Sequence, residues 1–215
     1  NVPLKFKNYD KIYSGFRVQD LITDTNLIRK QIRLGYKIPR KNGLGICSNL
    51  MKINNDFLDR NADFSIGFPN EKSLPFFERS KWNVLCNIPL LIRDVNNKNN
   101  FKLKYDLIDK FKYTHEEIWQ KNIGNKFDIL RSKEYLNWRY LLNPKSKYKI
   151  FKIKNNFKII GYVILKKHLL ENNLMMGHIC QYVCEDQYID DIIKFSINYF
   201  SSLSIKSFTM WEMDR

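Results

Sequence analysis

Pro39-Arg40-Lys41-Asn42-Gly43-Leu44-Gly45, followed by Ile46-Cys47-Ser48-Asn49-Leu50, is the stretch on which the fold reading turns. The Pro and the paired glycines mark a turn. Behind it, Ile46, Leu50, Ile53 and Phe57 or Leu58 recur at helical spacing, so an amphipathic helix is expected from Ile46 to about Arg60-Asn61. Ahead of it, Ile12–Thr23 holds β-favouring residues that alternate at Phe16, Val18 and then Leu21 or Ile22, which predicts a strand. Arg40-x-x-Gly43-x-Gly45 therefore lies where a strand region gives way to a helix. A helix N-terminus presents unpaired backbone N–H groups and a partial positive charge. Glycine lets the chain turn tightly and come close to a guest, and phosphate suits such an end. A plain helix-capping turn fits the same six residues.

Outward from this stretch, Ala62–Phe68 reads as a short strand broken by Pro69-Asn70, and Ser73–Lys81 as a short helix with Pro75 in its first turn. Trp82–Arg93 reads as a further strand, with Ile88–Ile92 as a buried run. Strand, glycine loop, helix, strand, short helix and strand in that order is an α/β pattern. Asp94–Asn100 is polar and reads as a linker; Tyr105–Asn122 reads as helical through Leu107, Ile108, Phe111, Ile118 and Trp119. A second block follows. Tyr135–Leu142 reads as a helix halted before Pro144. Tyr148–Lys154 and Phe157–Lys166 read as a hairpin across Asn155-Asn156. Met176–Cys184 reads as a strand, Ile189 to Phe200 as an amphipathic helix and Phe208–Trp211 as a last strand.

The 215 residues, 44% hydrophobic and 14% aromatic, suffice for a sizeable core in one large domain or two small ones. No run of about 18 apolar residues exists, so no membrane span is expected. Asn1 is not followed by a basic and then apolar leader. The four cysteines, Cys47, Cys86, Cys180 and Cys184, lack the tight pairing of a zinc site even with His178 nearby, so no metal is expected. They read as small buried thiols in a reducing compartment, hence a cytoplasmic protein. The net charge of +15 is compatible with nucleic acid, anionic lipid or polyanionic ligands. Lys, Asn and Ile dominate, however, a bias that AT-rich codons produce without function, and the aromatics mostly follow core spacing. A nucleic-acid partner is therefore not the expectation.

The Gly loop with its helix resembles the acetyl-CoA motif of the GNAT acetyltransferase superfamily, Gln/Arg-x-x-Gly-x-Gly/Ala, matched by Arg40, Gly43 and Gly45. The family has a strand after that helix, then Asn, then a short helix ending in Tyr-x-x-x-Gly-Phe. Asn70, the small Ser73, Phe77, Lys81 and Trp82 fall at those places without a gap. Ser132-Lys133-Glu134-Tyr135-Leu136-Asn137-Trp138-Arg139-Tyr140, Asn143-Pro144, Tyr148 and Gly161-Tyr162 look like the C-terminal half of two-lobed GNAT proteins. That half has no glycine loop of its own, since Cys184 leads straight into Glu185-Asp186-Gln187 and a helix.

The resemblance implies an α/β (α+β) acyl-CoA N-acyltransferase fold, a mixed sheet flanked by helices. Two lobes are expected: residues 1–93 with the CoA loop, 94–125 as linker and helix, and 126–215 without a CoA motif. The family needs further strands and helices before the central strand, so an N-terminal portion is expected to be missing. The implied co-substrate is acetyl-CoA or another acyl-CoA, held by Arg40, Lys41, Asn42, Gly43, Leu44, Gly45 and Ile46, with Asn70 and Phe77 beside it. The implied partner is a small-molecule amine acceptor, such as an amino sugar or cell-surface precursor. Phe77 stands where the family's general acid is a Tyr. Asp20 and Asp24, near the end of the central strand, are the carboxylates nominated to take the amine's proton. The insertion Thr25–Ile38, basic through Arg29, Lys30, Arg33 and Lys37, is a candidate cover or a solvated loop. Trp138, Arg139 and Tyr140 are candidates for an acceptor groove or for core. Two other readings compete: a catalytically degenerate lobe serving binding or assembly, and a basic nucleic-acid-binding module.

Overall fold

The structure of the chain, a computed structural model, describes residues 2–18, 46–95, 100–123, 126–142, 147–170 and 173–211, apart from the side chains of residues 46 and 47. In chain order its elements begin with strands β1 (Val2–Asn8) and β2 (Lys11–Val18), helix α1 (Ile46–Asn61), β3 (Phe64–Gly67), α2 (Leu74–Arg79), β4 (Leu90–Asp94), β5 (Lys104–Leu107) and α3 (Tyr113–Ile123). They continue with β6 (Asp128–Ile129), α4 (Lys133–Leu136) running into a π-helical turn (Asn137–Leu141), β7 (Tyr148–Asn155), β8 (Lys158–Leu169), β9 (Met175–Cys184), a 3₁₀ turn (Asp186–Tyr188), α5 (Ile189–Ser202) and β10 (Ser207–Trp211). The chain divides into two compact units, Asn1–Cys86 with Lys126–Leu130, and Asn87–Asn125 with Arg131–Arg215.

In the first unit, β1 and β2 form an antiparallel hairpin across Tyr9-Asp10, with Tyr9 at φ 52°. β6 pairs antiparallel with β1, and β3 pairs parallel with β2, giving the order β3-β2-β1-β6. Parallel neighbours need a crossover, and α1 lies in this one. Period-two alternation gives the sheet two different faces. Phe6 and Phe64 meet on one face with their centroids 4.5 Å apart, and Phe127 stacks on Phe6 at 5.3 Å. On the other face Val18, Met51, Leu58 and Phe77 are buried together, with Phe16 and Trp82 packed against them.

In the second unit the sheet order is β4-β10-β9-β8-β7-β5, antiparallel throughout except that β9 and β10 run parallel. The central strand β8 is buried without a break from Ile160 to Leu165. A strand covered on both faces requires such a run rather than alternation. α5 covers one face through Ile192, Phe195 and Phe200, and Phe200 stacks on Phe208 at 5.4 Å. Trp119 and Ile123 of α3 are buried, and α3 packs on β8 and β9. Phe111 and His115 lie edge-on to Tyr162, with centroids 5.6 and 6.1 Å away.

Several sequence expectations need correction. The expected strand Trp82–Arg93 is confined to β4, and its residues are exposed rather than buried, Ile92 by 66%. β4 is an edge strand of the six-stranded sheet, and an apolar run alone does not distinguish an edge from a core strand. The expected helix Tyr105–Asn122 is β5 followed by α3. Tyr105 and Leu107 sit opposite Ile153 and Phe151 of β7, and this pairing overrides the helical spacing. α1 has the predicted span, but it buries Met51 and Leu58 and leaves Leu50, Ile53 and Phe57 exposed. β1 and β6 were not anticipated. β4 pairs into the sheet of the second unit, and β6 into that of the first.

Gly161 marks the tightest approach in this sheet. A Cβ there would lie 2.5 Å from the Val183 carbonyl oxygen and 2.8 Å from Cys184 Cβ, so β8 and β9 would have to part. Gly161→Ala is expected to destabilise the protein by about 1–3 kcal/mol as an overpacking change. Phe200→Ala is expected to cost about 3–5 kcal/mol by opening a cavity. Urea unfolding followed by circular dichroism checks both; an unchanged midpoint for either variant contradicts this packing.

Candidate functional site

β2, α1 and β3 form a strand–helix–parallel strand unit in which Gly15 to Val18 run alongside Phe64 to Gly67. The helix between them starts at Ile46, immediately after the glycine loop, has no acidic residue in its first turn and carries Arg60 in its last. Its N-terminal partial charge is thus left uncompensated by its own side chains, while Arg60 complements the other end. Asp20, Asp24, Arg40, Lys41, Asn42, Gly43, Leu44 and Gly45 lie outside the described residues, as does the side chain of Ile46. The insertion Thr25–Ile38 lies outside them too.

Asn70 and Phe77 are described. Asn70 closes the turn that opens α2: its Oδ1 accepts from Ser73 N at 2.9 Å and from Ser73 Oγ at 3.0 Å, and its own N–H donates to Ser73 Oγ at 3.0 Å. Phe77 is buried over Gly67, where a Cβ would come within 2.7 Å of the Phe77 ring. It meets Trp82 edge-on with centroids 5.1 Å apart. Trp82 is fixed in turn, since its Nε1–H donates to Asn55 Oδ1 at 3.0 Å and Asn55 Nδ2–H donates to Ser80 O at 3.2 Å. The two residues therefore build the junction of β3, α1 and α2. Phe77 offers an apolar wall and no proton.

In the second unit, Trp138, Arg139 and Tyr140 stand on the π-helical turn, a feature that often marks functional positions. Trp138 is 50% exposed, whereas Tyr140 is buried. The Tyr140 hydroxyl donates to Gln181 Oε1 at 2.8 Å, and Gln181 Nε2–H donates to the Tyr162 hydroxyl at 3.3 Å. Burial raises the Tyr140 pKa. Burial also pushes the Cys180 and Cys184 thiols up to about 12, which suits neither nucleophiles nor metal ligands. Cys86 is exposed. Among the described residues no group of His, Cys, Asp and Glu is arranged to hold a metal ion. No helix among them is long and apolar enough to cross a membrane.

Sequence reading passed over His115. Its Nδ1 accepts the Lys112 backbone N–H at 3.0 Å, which caps α3 from within its first turn. The signal was present: Lys112-x-x-His115 has the spacing of a capping box, with imidazole where Glu or Gln is usual.

No family model and no curated protein matches the sequence. Solved structures do. A conserved protein of unknown function from Enterococcus faecalis V583, described as a probable N-acyltransferase, is 13% identical with a TM-score of 0.62, covering 99% of this chain and 51% of its own. A GCN5-related N-acetyltransferase from Anabaena variabilis gives 13% identity, a TM-score of 0.60 and coverage of 98% and 51%. Saccharomyces cerevisiae N-myristoyltransferase with bound myristoyl-CoA gives 9% identity, a TM-score of 0.61 and coverage of 99% and 57%. The chain thus spans a little over half the length of the structures it resembles. Likeness at these identities speaks to fold, and the fold of this chain is that of the GNAT acyl-CoA N-acyltransferases, mixed sheets flanked by helices.

Proposed function

We propose that the chain serves an acyl-CoA-dependent N-acyltransferase, with acetyl-CoA or a longer acyl-CoA as co-substrate and a small-molecule amine as acceptor. One observation carries the reading: α1 starts directly after Arg40-x-x-Gly43-x-Gly45, between the parallel strands β2 and β3, with no acidic residue in its first turn. Such a helix start suits a pyrophosphate. In this reading the backbone N–H groups from Asn42 to Ile46 hold the pyrophosphate, with Arg40 and Lys41 beside them. Asn70 and Phe77 border the same site, Asn70 by fixing the start of α2 and Phe77 as apolar wall. The lobe beginning near residue 126 has no such loop, so one acyl-CoA is bound per chain. An amino sugar or cell-surface precursor is the acceptor class we favour, and the free cysteines suit a cytoplasmic protein.

The acyl thioester supplies an activated carbonyl carbon. The neutral amine nitrogen forms a bond to that carbon, the C–S bond breaks, and the sulfur departs with the electron pair. Because Phe77 cannot donate a proton, departure is as thiolate, reasonable near neutral pH for a thiol with a pKa near that of cysteine, about 8.5. The amine's proton goes to Asp20 or Asp24, directly or through water. A second reading, a catalytically degenerate lobe, is favoured by the burial of Phe77 in the core.

Calorimetry with acetyl-CoA and myristoyl-CoA separates the chain lengths. Gly43→Val and Gly45→Val are each expected to weaken binding at least tenfold without unfolding the protein; unchanged affinity removes the loop from the site. Once an acceptor is found, Asp20→Asn or Asp24→Asn is expected to lower kcat by about 10²-fold or more, most visibly below the amine's own pKa, while Phe77→Tyr leaves the rate similar or modestly higher. Full rates in both Asn variants across pH refute the carboxylate assignment. Acyl-CoA binding without turnover of any amine favours the degenerate lobe.

A further inference from the structure

α5 covers one face of the second unit's sheet, and the other face carries a polar row at one end. Tyr148 of β7 lies opposite Lys166 of β8, Lys166 opposite His178 of β9, and His178 opposite Thr209 of β10. Directly opposed residues share a face of the sheet. Leu165, Ile179 and Phe208, next to them along the strands, belong to the cluster under α5, and successive residues point to opposite faces. Phenol, ammonium, imidazole and hydroxyl therefore line up across four strands on the face away from α5. Thr209 is buried there, and its hydroxyl oxygen lies 2.8 Å from His178 Nδ1, which fixes the imidazole ring. Burial holds the His178 pKa down, and His168 and Lys166 add to this, so the ring is neutral near pH 7.

Cations gather at the Tyr148 end of the row. Lys166 Nζ lies 5.6 Å from the centre of the Tyr148 ring, Tyr148 meets Tyr140 edge-on at 5.1 Å, and the Arg139 guanidinium lies 5.4 Å from the centre of the Tyr140 ring. Arg139 and Lys166 are both half-buried. They converge on Cys180: burial pushes that thiol up, and these two cations are the charges that act against it. Among the described residues no carboxylate acts on Arg139, Tyr140, Cys180 or His178, and Arg139 has no ion-pair partner. A charge drawn partly out of water needs an opposite charge or full hydrogen bonding in return. The phenol rings meet part of that need through their faces, but they bring no negative charge. What this corner lacks is an anion.

We propose that this corner, between the π-helical turn and the row Tyr148–Lys166–His178, binds the phosphomonoester group of a small molecule through Arg139 and Lys166. The planar guanidinium of Arg139 matches two phosphate oxygens at once, and Lys166 acts as a point charge on the third. A phosphomonoester carries a charge of about −1.5 to −2 near pH 7, which two cations balance; a single carboxylate leaves one cation over. Tyr135 and Trp138, on the same helical segment as Arg139, stand with ring centroids 6.0 Å apart. They give the remainder of the molecule an aromatic surface with polar edges to lie on. The site is in the second unit and does not depend on the acyl-CoA reading.

The test is titration of the full-length protein with glucose 1-phosphate, inorganic phosphate and acetate at matched ionic strength, followed by the imidazole carbon-bound proton resonances. The chain has three histidines. His178 borders the site, and His115, at the start of α3, serves as the internal control. Saturable movement of the His178 signals with the two phosphates, at constant His115 signals, is the expected result. Affinity is expected to fall at least tenfold in Lys166→Gln and in Arg139→Lys, which keeps the charge and loses the fork. Should Arg139→Lys fail to fold by circular dichroism, Lys166→Gln carries the test alone. Equal affinity for the two phosphates supports a site for the phosphoryl group by itself; tighter glucose 1-phosphate binding supports one for a larger phosphorylated molecule. His178 signals that stay fixed or do not saturate, acetate that binds as well as phosphate, or a folded variant that binds like the wild type overturn the proposal.

Discussion

Six consecutive residues of β8, Ile160 to Leu165, are withheld from water, and the second unit is organised around keeping them so. Burying an aliphatic side chain of this size contributes about 1.5–3 kcal/mol, but only if both faces of the strand are covered. α5 supplies one cover, with Phe195 and Phe200 over β7, β8 and β10. α3 contributes to the other, with Trp119, and Phe111 comes from the segment before it. That second cover is held by polar bonds at its edge. Asn137 grips Phe111 from both sides, Oδ1 accepting its N–H at 2.9 Å and Nδ2 donating to its carbonyl at 3.1 Å. The π-helical turn begins at this same Asn137, so the irregular backbone there is tied to core closure as well as to the placement of Tyr140.

The same economy operates in the first unit. β3 runs parallel to β2, so a long connection has to leave the sheet and return, and α1 is part of it. Met51 and Leu58 anchor that helix on Val18 and Phe77. Helix and parallel strands together set the position of the helix start relative to the sheet. Any chemistry at that start inherits its rigidity from the apolar cluster, which is the sense in which Phe77 matters whether or not it touches a substrate.

How much of this was legible in the sequence varies with the kind of signal. The β7–β8 hairpin was readable because Asn155-Asn156 interrupts two β-favouring runs, and Asn156 does adopt φ 53°. α1 and α5 were readable from period and punctuation. The exposed stripe of α1 was misjudged because Leu50-Met51 and Phe57-Leu58 offer two adjacent apolar stripes, and only the sheet beneath selects between them. β4 and β5 were misjudged because their partners, β10 and β7, lie far along the chain and leave no local trace. Asn70 and Phe77 were nominated for the site by the family resemblance, and the structure shows Asn70 engaged in capping and Phe77 in packing. His115 was missed because its capping-box spacing from Lys112 carries an imidazole where Glu or Gln is usual.

The position of β4 has a consequence for how the chain is made. In the finished sheet β4 pairs along one side of β10, Asp94 with Ser207 and Leu90 with Trp211, while β9 lies on β10's other side. A chain emerging from the ribosome presents Leu90, Leu91 and Ile92 long before β10 exists. At about 5–20 residues per second that interval is on the order of ten seconds. Throughout it, the segment has no native strand to pair with, so a nascent chain of this protein carries an apolar β-forming stretch in waiting. Such a stretch invites holding by a chaperone, and this sheet is completed only once Ser207–Trp211 has been made, long after β4 has emerged.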